Sequence, residues 1–426
     1  MKLSRYNTEV KINNQQYIIY NTLSRCYQLY TDEKKEALKK LLGELSVKNE
    51  YTLEEIGLLR QLAQKGIIVD DEINELYKLE YLENSQWYQN AMYHLTFYAT
   101  NACNFRCSYC TQEHIVKNIE DEVIENGIAL IEKLAKTVRF LCVTWFGGEP
   151  LLQYQKIKDM MKKVTKICDE NHCLLYTDFV TNGYLINENM VSDLIEMHTK
   201  SLQITVDSNP EIHNKRRYLK NGSGTYDKIL QNIIILLEHG IEIVLRINID
   251  EETFRYPFSI LDDIPEKYRN LVTISISNLF QNEGECSSYD IYLKAIKMGY
   301  KYGNRRNNYY GCATCGNRNI SIDTDGNILF CTNVSAEEGT IGKLGKNGII
   351  TYSNRDKYIQ NIMKSARENE TCKECIELPF CIGRCRLARC KKEHGCMGKA
   401  NSGLSLEECA KLDYYYDQVC NGGTVV

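Results

Sequence analysis

Apolar and polar residues alternate in three distinct rhythms along the chain. Glu9 to Tyr20 alternates with a period of two on either side of Asn13-Asn14, the pattern of two strands joined by a turn. Two helical stretches follow, Asp32–Leu45 and Thr52–Lys65. The second opens on Thr52-Leu-Glu-Glu55, where a hydroxyl and a carboxylate three residues apart can each satisfy a backbone N–H, and it ends at Gly66 before the strand-like Ile67-Ile68-Val69. Strands, two helices and a short strand predict a winged-helix-like module over residues 1–85. Glu72 to Gln89, charged and rich in tyrosine, reads as a linking helix.

Between residues 86 and 303, apolar strand runs at 93–99, 138–146, 173–180, 201–206, 241–249 and 271–277 alternate with helical segments at 120–136, 153–170, 187–197 and 224–239. Six strand runs with crossover helices predict an α/β fold with a parallel sheet, either doubly wound or a partial barrel. Such sheets bind ligands at the carboxyl ends of their strands. From residue 304 to 426 the apolar pattern breaks up. Asp325-Gly326 between Ile320–Asp323 and Asn327–Cys331 predicts a hairpin, but little else there could build a large core.

Composition adds one strong signal. Net charge −4 and ordinary apolar and charged fractions give no indication of nucleic-acid or anionic-membrane partners. The sequence has no run of 18 apolar residues, and its first residues lack the apolar centre of a signal peptide, so a cytoplasmic location is expected. Nineteen cysteines in such a chain point to metal rather than disulfides, and eleven of them fall between Cys312 and Cys420.

The densest early group is Cys103-Asn-Phe-Arg-Cys107-Ser-Tyr-Cys110, directly after the first strand run. Three thiolates suit an iron–sulfur cluster and leave one iron open to a ligand from outside the protein; the competing reading is a zinc or disulfide loop. Gly147-Gly148-Glu149-Pro150 follows the second strand, where glycines allow close backbone approach and a carboxylate can accept from a ligand ammonium. Together these segments resemble the radical S-adenosylmethionine (SAM) superfamily, with Tyr109 as the aromatic residue before the third cysteine.

That resemblance implies a partial (β/α)6, TIM-like barrel whose Cys103, Cys107 and Cys110 hold a [4Fe–4S] cluster. SAM would chelate the fourth iron, and reductive cleavage would yield a 5′-deoxyadenosyl radical. It further points to Tyr109, Gly147, Gly148, Glu149, Pro150, Thr181, Asn182, Thr205, Asp207 and Arg246 as cofactor-binding residues, with Asn248 beside Arg246. His213-Asn-Lys-Arg-Arg217 is similar to a segment of peptide-modifying members, but Ser208 stands where they have glycine and Asn214 where they have aspartate.

Cys372-x2-Cys375-x5-Cys381-x3-Cys385 resembles the signature of the SPASM domain, named from radical SAM peptide maturases. By that resemblance Cys312, Cys315, Cys331 and Cys385 hold a first auxiliary [4Fe–4S] cluster. Cys372, Cys375, Cys381 and a later cysteine hold a second. Cys396, which follows Gly395, is preferred for the last position; Cys409, in a helix opened by Ser405-Leu-Glu-Glu408, and Cys390 remain open. The other cysteines, Cys142 in its strand among them, read as buried or incidental thiols.

The N-terminal module is similar to the recognition element that pairs a leader peptide with a sheet edge. The whole then reads as an oxidoreductase maturing a ribosomally made peptide (a RiPP), most simply by a thioether crosslink from cysteine to carbon. Carbon–carbon crosslinking and sulfatase-maturase-like formylglycine formation are the enzymatic alternatives; an iron–sulfur electron-transfer scaffold is the non-enzymatic one. Expected partners are the precursor peptide and a reductant such as flavodoxin or ferredoxin.

Overall fold

The computed structural model describes residues 1–45, 50–87, 90–112, 115–279, 286–303, 318–332, 336–354, 356, 359–360, 365–381 and 403–422. At the N-terminus β1 (Lys2–Leu3), β2 (Asn7–Lys11), β3 (Gln16–Asn21) and β4 (Cys26–Thr31) precede α1 (Asp32–Gly43), α2 (Leu53–Gln64) and β5 (Ile68–Val69). Asn13 closes the first hairpin, its Oδ1 accepting from the N–H groups of Gln15 and Gln16 at 3.0 Å each. At the start of α2, Thr52 and Glu55 satisfy each other's backbone N–H groups, as the sequence predicts. Tyr30, Leu38, Leu41, Leu59, Leu62 and Ile67 form the small core.

Two features of this module depart from the sequence pattern. β4 completes an antiparallel β2-β3-β4 sheet, yet its residues are half-buried on both faces apart from Tyr30, so no alternation marks it. β5 pairs with β1 instead of joining that sheet. The linking helix is α3 (Glu75–Trp87).

All six strand runs of the central stretch are strands: β6 (Met92–Thr100), β7 (Phe140–Gly147), β8 (Leu174–Thr181), β9 (Thr199–Thr205), β10 (Glu242–Ile249) and β11 (Val272–Asn278). They pair in parallel in chain order, with β12 (Lys301–Tyr302) at one edge. The crossovers carry α4 (Asp121–Ala135), α5 (Tyr154–Glu170), α6 (Glu188–Glu196), α7 (Pro210–Arg216) and α8 (Tyr226–Glu238). Right-handed crossovers between strands in strictly sequential order place every helix on one face. Burial follows: Leu141, Val143, Trp145, Phe179, Leu202 and Ile204 are sealed, while their alternate neighbours on the other face remain half-buried. A sheet covered on one face and open on the other is the wall of a partial barrel.

The predicted hairpin at Asp325-Gly326 joins β13 (Asn319–Ile322) to β14 (Asn327–Leu329). It is not set apart from the barrel. β13 pairs in parallel with β6, and β14, β15 (Thr340–Gly345) and β16 (Ile349–Tyr352) carry the sheet on to eleven strands. The helix Leu406–Cys420, capped by Ser405 and Glu408, lies against the helix Tyr289–Lys297 and against β2. Among the described residues no helix is long and apolar enough to cross a membrane.

The N-terminal module is docked on the cysteine-bearing C-terminal segment. Thr22 Oγ1 donates to the Ile376 carbonyl at 2.7 Å, and the Tyr20 ring stacks on Phe380 with centroids 6.0 Å apart. The Tyr20 hydroxyl donates to Asp413 Oδ2 at 2.6 Å, and Arg25 forms a buried ion pair with the same carboxylate at 3.5 Å. Arg367 pairs with Glu83 of α3 on the same side.

Candidate active site

At the carboxyl ends of the barrel strands a pocket of about 280 Å³ is lined by Cys103, Cys107, Cys110, Gly147, Gly148 and Asn182, among others. The cysteine loop leaves β6 and is clipped to the chain after α7. Arg106 N–H donates to the Tyr218 carbonyl at 2.8 Å, Ser108 N–H to Arg216 at 2.9 Å, and Lys220 N–H to Asn104 at 3.1 Å. The segment Arg216–Lys220 is thus a brace for the three cysteines.

The glycines meet this loop from the other side. Gly148 N–H donates to the Thr100 carbonyl and Glu149 N–H to the Ala102 carbonyl, both at 2.8 Å. Gly147 has φ +126°, and a Cβ on it would stand 2.2 Å from the Thr100 oxygen; on Gly148 it would stand 2.3 Å from the Ala102 oxygen. Two backbones touch here with no room for a side chain. Gly148→Ala is therefore expected to push the loop off its seat and weaken SAM binding tenfold or more, about 1.4 kcal/mol per factor of ten, as read by equilibrium binding to anaerobic protein.

Glu149 and Pro150 lie behind this wall. The buried Glu149 carboxylate accepts from Thr181 Oγ1 at 2.7 Å, from Asn182 N–H at 2.7 Å and from Leu151 N–H at 3.0 Å. Burial raises its pKa above the ordinary carboxylate value, although these donors and Arg217 pull the other way. Three donors of the chain itself engage it, so it fixes the end of β8. Asn182 in turn donates to Asn104 Oδ1 at 2.8 Å and lies 3.9 Å from Cys103 Sγ. Asn104, unmarked by the sequence pattern, is the joint between strand end and cysteine loop.

Tyr109 lines the pocket but turns its hydroxyl inward. It donates to Asp207 Oδ2 at 2.7 Å, and receives Arg217 Nη1 at 3.0 Å and Asn248 Nδ2 at 3.3 Å. Burial drives the Tyr109 hydroxyl and the Asp207 carboxyl upward in pKa, keeping the phenol protonated. Ser208 sits at φ +28°, a conformation that favours the glycine of related sequences. Asn214 Oδ1 caps α8, accepting from Thr225 and Tyr226 N–H at 2.7 and 3.0 Å; an amide oxygen serves there as well as a carboxylate. Thr205, Arg246 and Asn248 line the pocket. Phe146, Val180, Asn278 and Leu279 also line it and were not expected from the sequence.

Among the described residues no three His, Cys, Asp or Glu side chains converge on a single ion. A cubane spreads its thiolates over separate corners, so three cysteines around one pocket, opposite a glycine wall open to a second ligand, fit a [4Fe–4S] cluster better than zinc.

Residues 97–264 match the model of the Radical SAM superfamily. The chain is a radical SAM enzyme. Its cofactors are SAM and the [4Fe–4S] cluster of that superfamily. It is 23% identical over 335 residues to the radical SAM cyclopropyl synthase TigE of Paramaledivibacter caminithermalis, covering 70% of this chain and 68% of that one. The cysteine-type anaerobic sulfatase-maturating enzyme of Clostridium perfringens is 22% identical, covering 69% and 89%. In fold, the radical SAM chain resembles anSMEcpe with bound AdoMet and Cp18Cys peptide (TM-score 0.58, 19% identity, 77% of this chain and 99% of that one). It also resembles Streptococcus suis SuiB bound to precursor peptide SuiA (TM-score 0.52, 14% identity, 92% and 97%).

Of the other expected ligands, Cys331, Cys372, Cys375 and Cys381 are described and half-buried. Cys372 and Cys375 pack with Tyr6, Leu79 and Leu378. Cys409 lies in the Leu406–Cys420 helix, where burial, with Asp413 and Glu377 nearby, pushes its thiol up to about 12. Cys312, Cys315, Cys385, Cys390 and Cys396 lie outside the described residues.

Proposed function

We propose that this enzyme matures a ribosomally made precursor peptide by closing a crosslink, a thioether between a cysteine sulfur and a carbon. The observation that carries this reading is the N-terminal module. It packs through the Tyr20 ring, Thr22 and the Arg25 guanidinium on Phe380 and Ile376 of the segment that bears Cys372, Cys375 and Cys381, so a peptide held at its sheet would be tethered to the same body as the pocket. The fold likeness to SuiB with its precursor peptide spans 92% of the chain against 77% for anSMEcpe, which supports a leader-binding role for residues 1–85.

Residues 86–303 form the radical SAM core in this reading, and 304–426 a SPASM domain with two auxiliary clusters. Cys312, Cys315, Cys331 and Cys385 supply the first ligand set; Cys372, Cys375 and Cys381 begin the second. Cys396 completes the second set in this reading, with Cys409 and Cys390 as the alternatives. SAM, when bound, would supply radical chemistry able to remove hydrogen from an unactivated peptide carbon. Cys103, Cys107 and Cys110 would hold the cluster, and the Gly147–Gly148 wall would receive the amino acid end of SAM. Tyr109, Arg217, Asp207 and Asn248 hold the pocket side in one arrangement.

The test is co-expression with the cysteine-containing peptides encoded in the gene neighbourhood. The expected product has lost two hydrogens and no longer alkylates at one cysteine. The name of TigE makes carbon–carbon closure the second reading; it predicts the same mass with every cysteine still alkylatable. A formyl group at a cysteine position would overturn both.

A further inference from the structure

Period two assigns the inner wall of the barrel. Phe146, Val180, Thr205 and Arg246 line the pocket, so the residues two and four positions earlier on each strand face the same chamber. Those positions are Thr144 and Cys142 on β7, Asp178 and Tyr176 on β8, Gln203 and Ser201 on β9, and Val244 and Glu242 on β10. Each is half-buried, whereas the opposite face of the same strands is sealed and mostly apolar. Cys142 is therefore not the core thiol that its strand context suggests; alternation gives the period but not which phase faces the core. A polar, solvent-reachable row beneath a SAM pocket does nothing for the helix-packed core.

Strand register sets Thr144, Asp178 and Ser201 side by side in one row. Ser201 Oγ donates to Asp178 Oδ1 at 2.9 Å, and Cys142 Sγ lies 3.5 Å from Asp178 Oδ2. Both donors are neutral, so they orient the carboxylate without cancelling its charge. Across β7, His94 is bonded to Thr144 Oγ1 at 2.7 Å, and burial lowers its pKa, which favours the uncharged ring. Lys200, the nearby cation, has its ammonium over the Tyr176 ring, 5.2 Å from the centroid.

We propose that Asp178, held by Ser201 and Cys142 on the inner wall one row below the pocket, accepts the proton released when the peptide crosslink closes. This rests on the maturase reading. Joining a C–H to an S–H removes two hydrogens. The C–H hydrogen leaves as an atom through the radical chemistry that SAM supplies. When sulfur then bonds to the carbon radical, the S–H proton passes to Asp178 and one electron passes to a one-electron acceptor, an iron–sulfur centre. Atoms and charge balance, and the proton needs a base inside the barrel. The half-buried Asp178 lies on the wall such a peptide would face.

The experiment compares wild type, Asp178→Asn and Asp178→Glu, each co-expressed with the same neighbourhood-encoded peptide, reading crosslinked product per 5′-deoxyadenosine formed. Iron content serves as the check on folding, and the affinity of a fluorescently labelled peptide is measured by anisotropy. Asp178→Asn is expected to lower the ratio by about a hundredfold or more, the usual worth of a general base, with peptide affinity changed less than threefold. Asp178→Glu should recover most of the ratio, which also distinguishes lost chemistry from lost folding. An Asp178→Asn ratio within twofold of wild type, or a loss of affinity with the ratio intact, would overturn the proposal while leaving the maturase reading in place. If wild type itself leaves the peptides unchanged, the maturase reading falls and this one with it.

Discussion

Cys103→Ala protein is expected to form no more 5′-deoxyadenosine on anaerobic reduction with SAM than about a hundredth of the wild-type amount. Losing a partner that only supports a metal ligand already costs roughly 10–100-fold, and here the ligand itself is removed. Cys103 is nearly sealed; its sulfur accepts from Phe105 N–H at 3.4 Å and lies 3.9 Å from the Asn182 amide. Burial pushes its thiol up to about 11, so a thiolate there would need a bound metal to hold it. Chromatographic assay of 5′-deoxyadenosine and iron analysis check this together: iron should fall by about four per chain, one cubane. Cys168→Ala is the control. That thiol is buried in α5 on the far side of the sheet and should leave iron content untouched. Wild-type SAM cleavage by Cys103→Ala would end the assignment of the site.

Much of this site is legible in the sequence because its chemistry is local. Three cysteines in eight residues and two adjacent glycines are dictated by a cubane and by backbone contact, whatever surrounds them. The six strands and their helices are equally legible, since burial on one face imposes a period. Long-range pairing imposes none, which is why the β13–β14 hairpin reads as part of a separate domain while in space β13 extends the barrel sheet beside β6. β4 fails for a related reason: half-burial on both faces leaves no alternation. Within the site, a sequence cannot show that Thr181 and Asn182 donate to the Glu149 carboxylate. Asn104 and Asn278 carry no pattern at all. Their importance comes from lying at loop and strand ends that meet only in the folded chain.

Asp413→Ala should be the most destabilising change outside the pocket. Its carboxylate is fully buried, accepting from the Tyr20 hydroxyl at 2.6 Å and paired with Arg25 at 3.5 Å, and the Arg25 guanidinium lies over Phe380, 4.6 Å from the ring centroid. Removing the carboxylate strips this buried guanidinium and phenol of a shared acceptor. Breaking one partner of a buried pair costs roughly 3–5 kcal/mol because the other charge stays behind. Denaturant unfolding should show a loss of that order, while Tyr20→Phe, which removes a hydrogen bond and no charge, should cost about 1 kcal/mol. The double variant should cost less than the sum, since both act through one carboxylate. Phe380 directly precedes Cys381, so the same substitution should also loosen the cysteine-bearing segment and lower iron content on reconstitution. If stability falls while iron content holds, the module and the Cys372–Cys381 segment fold independently, and the contact serves docking alone. If both fall together, the N-terminal module is part of what holds those cysteines in place, and a peptide bound to it acts on the same structural unit.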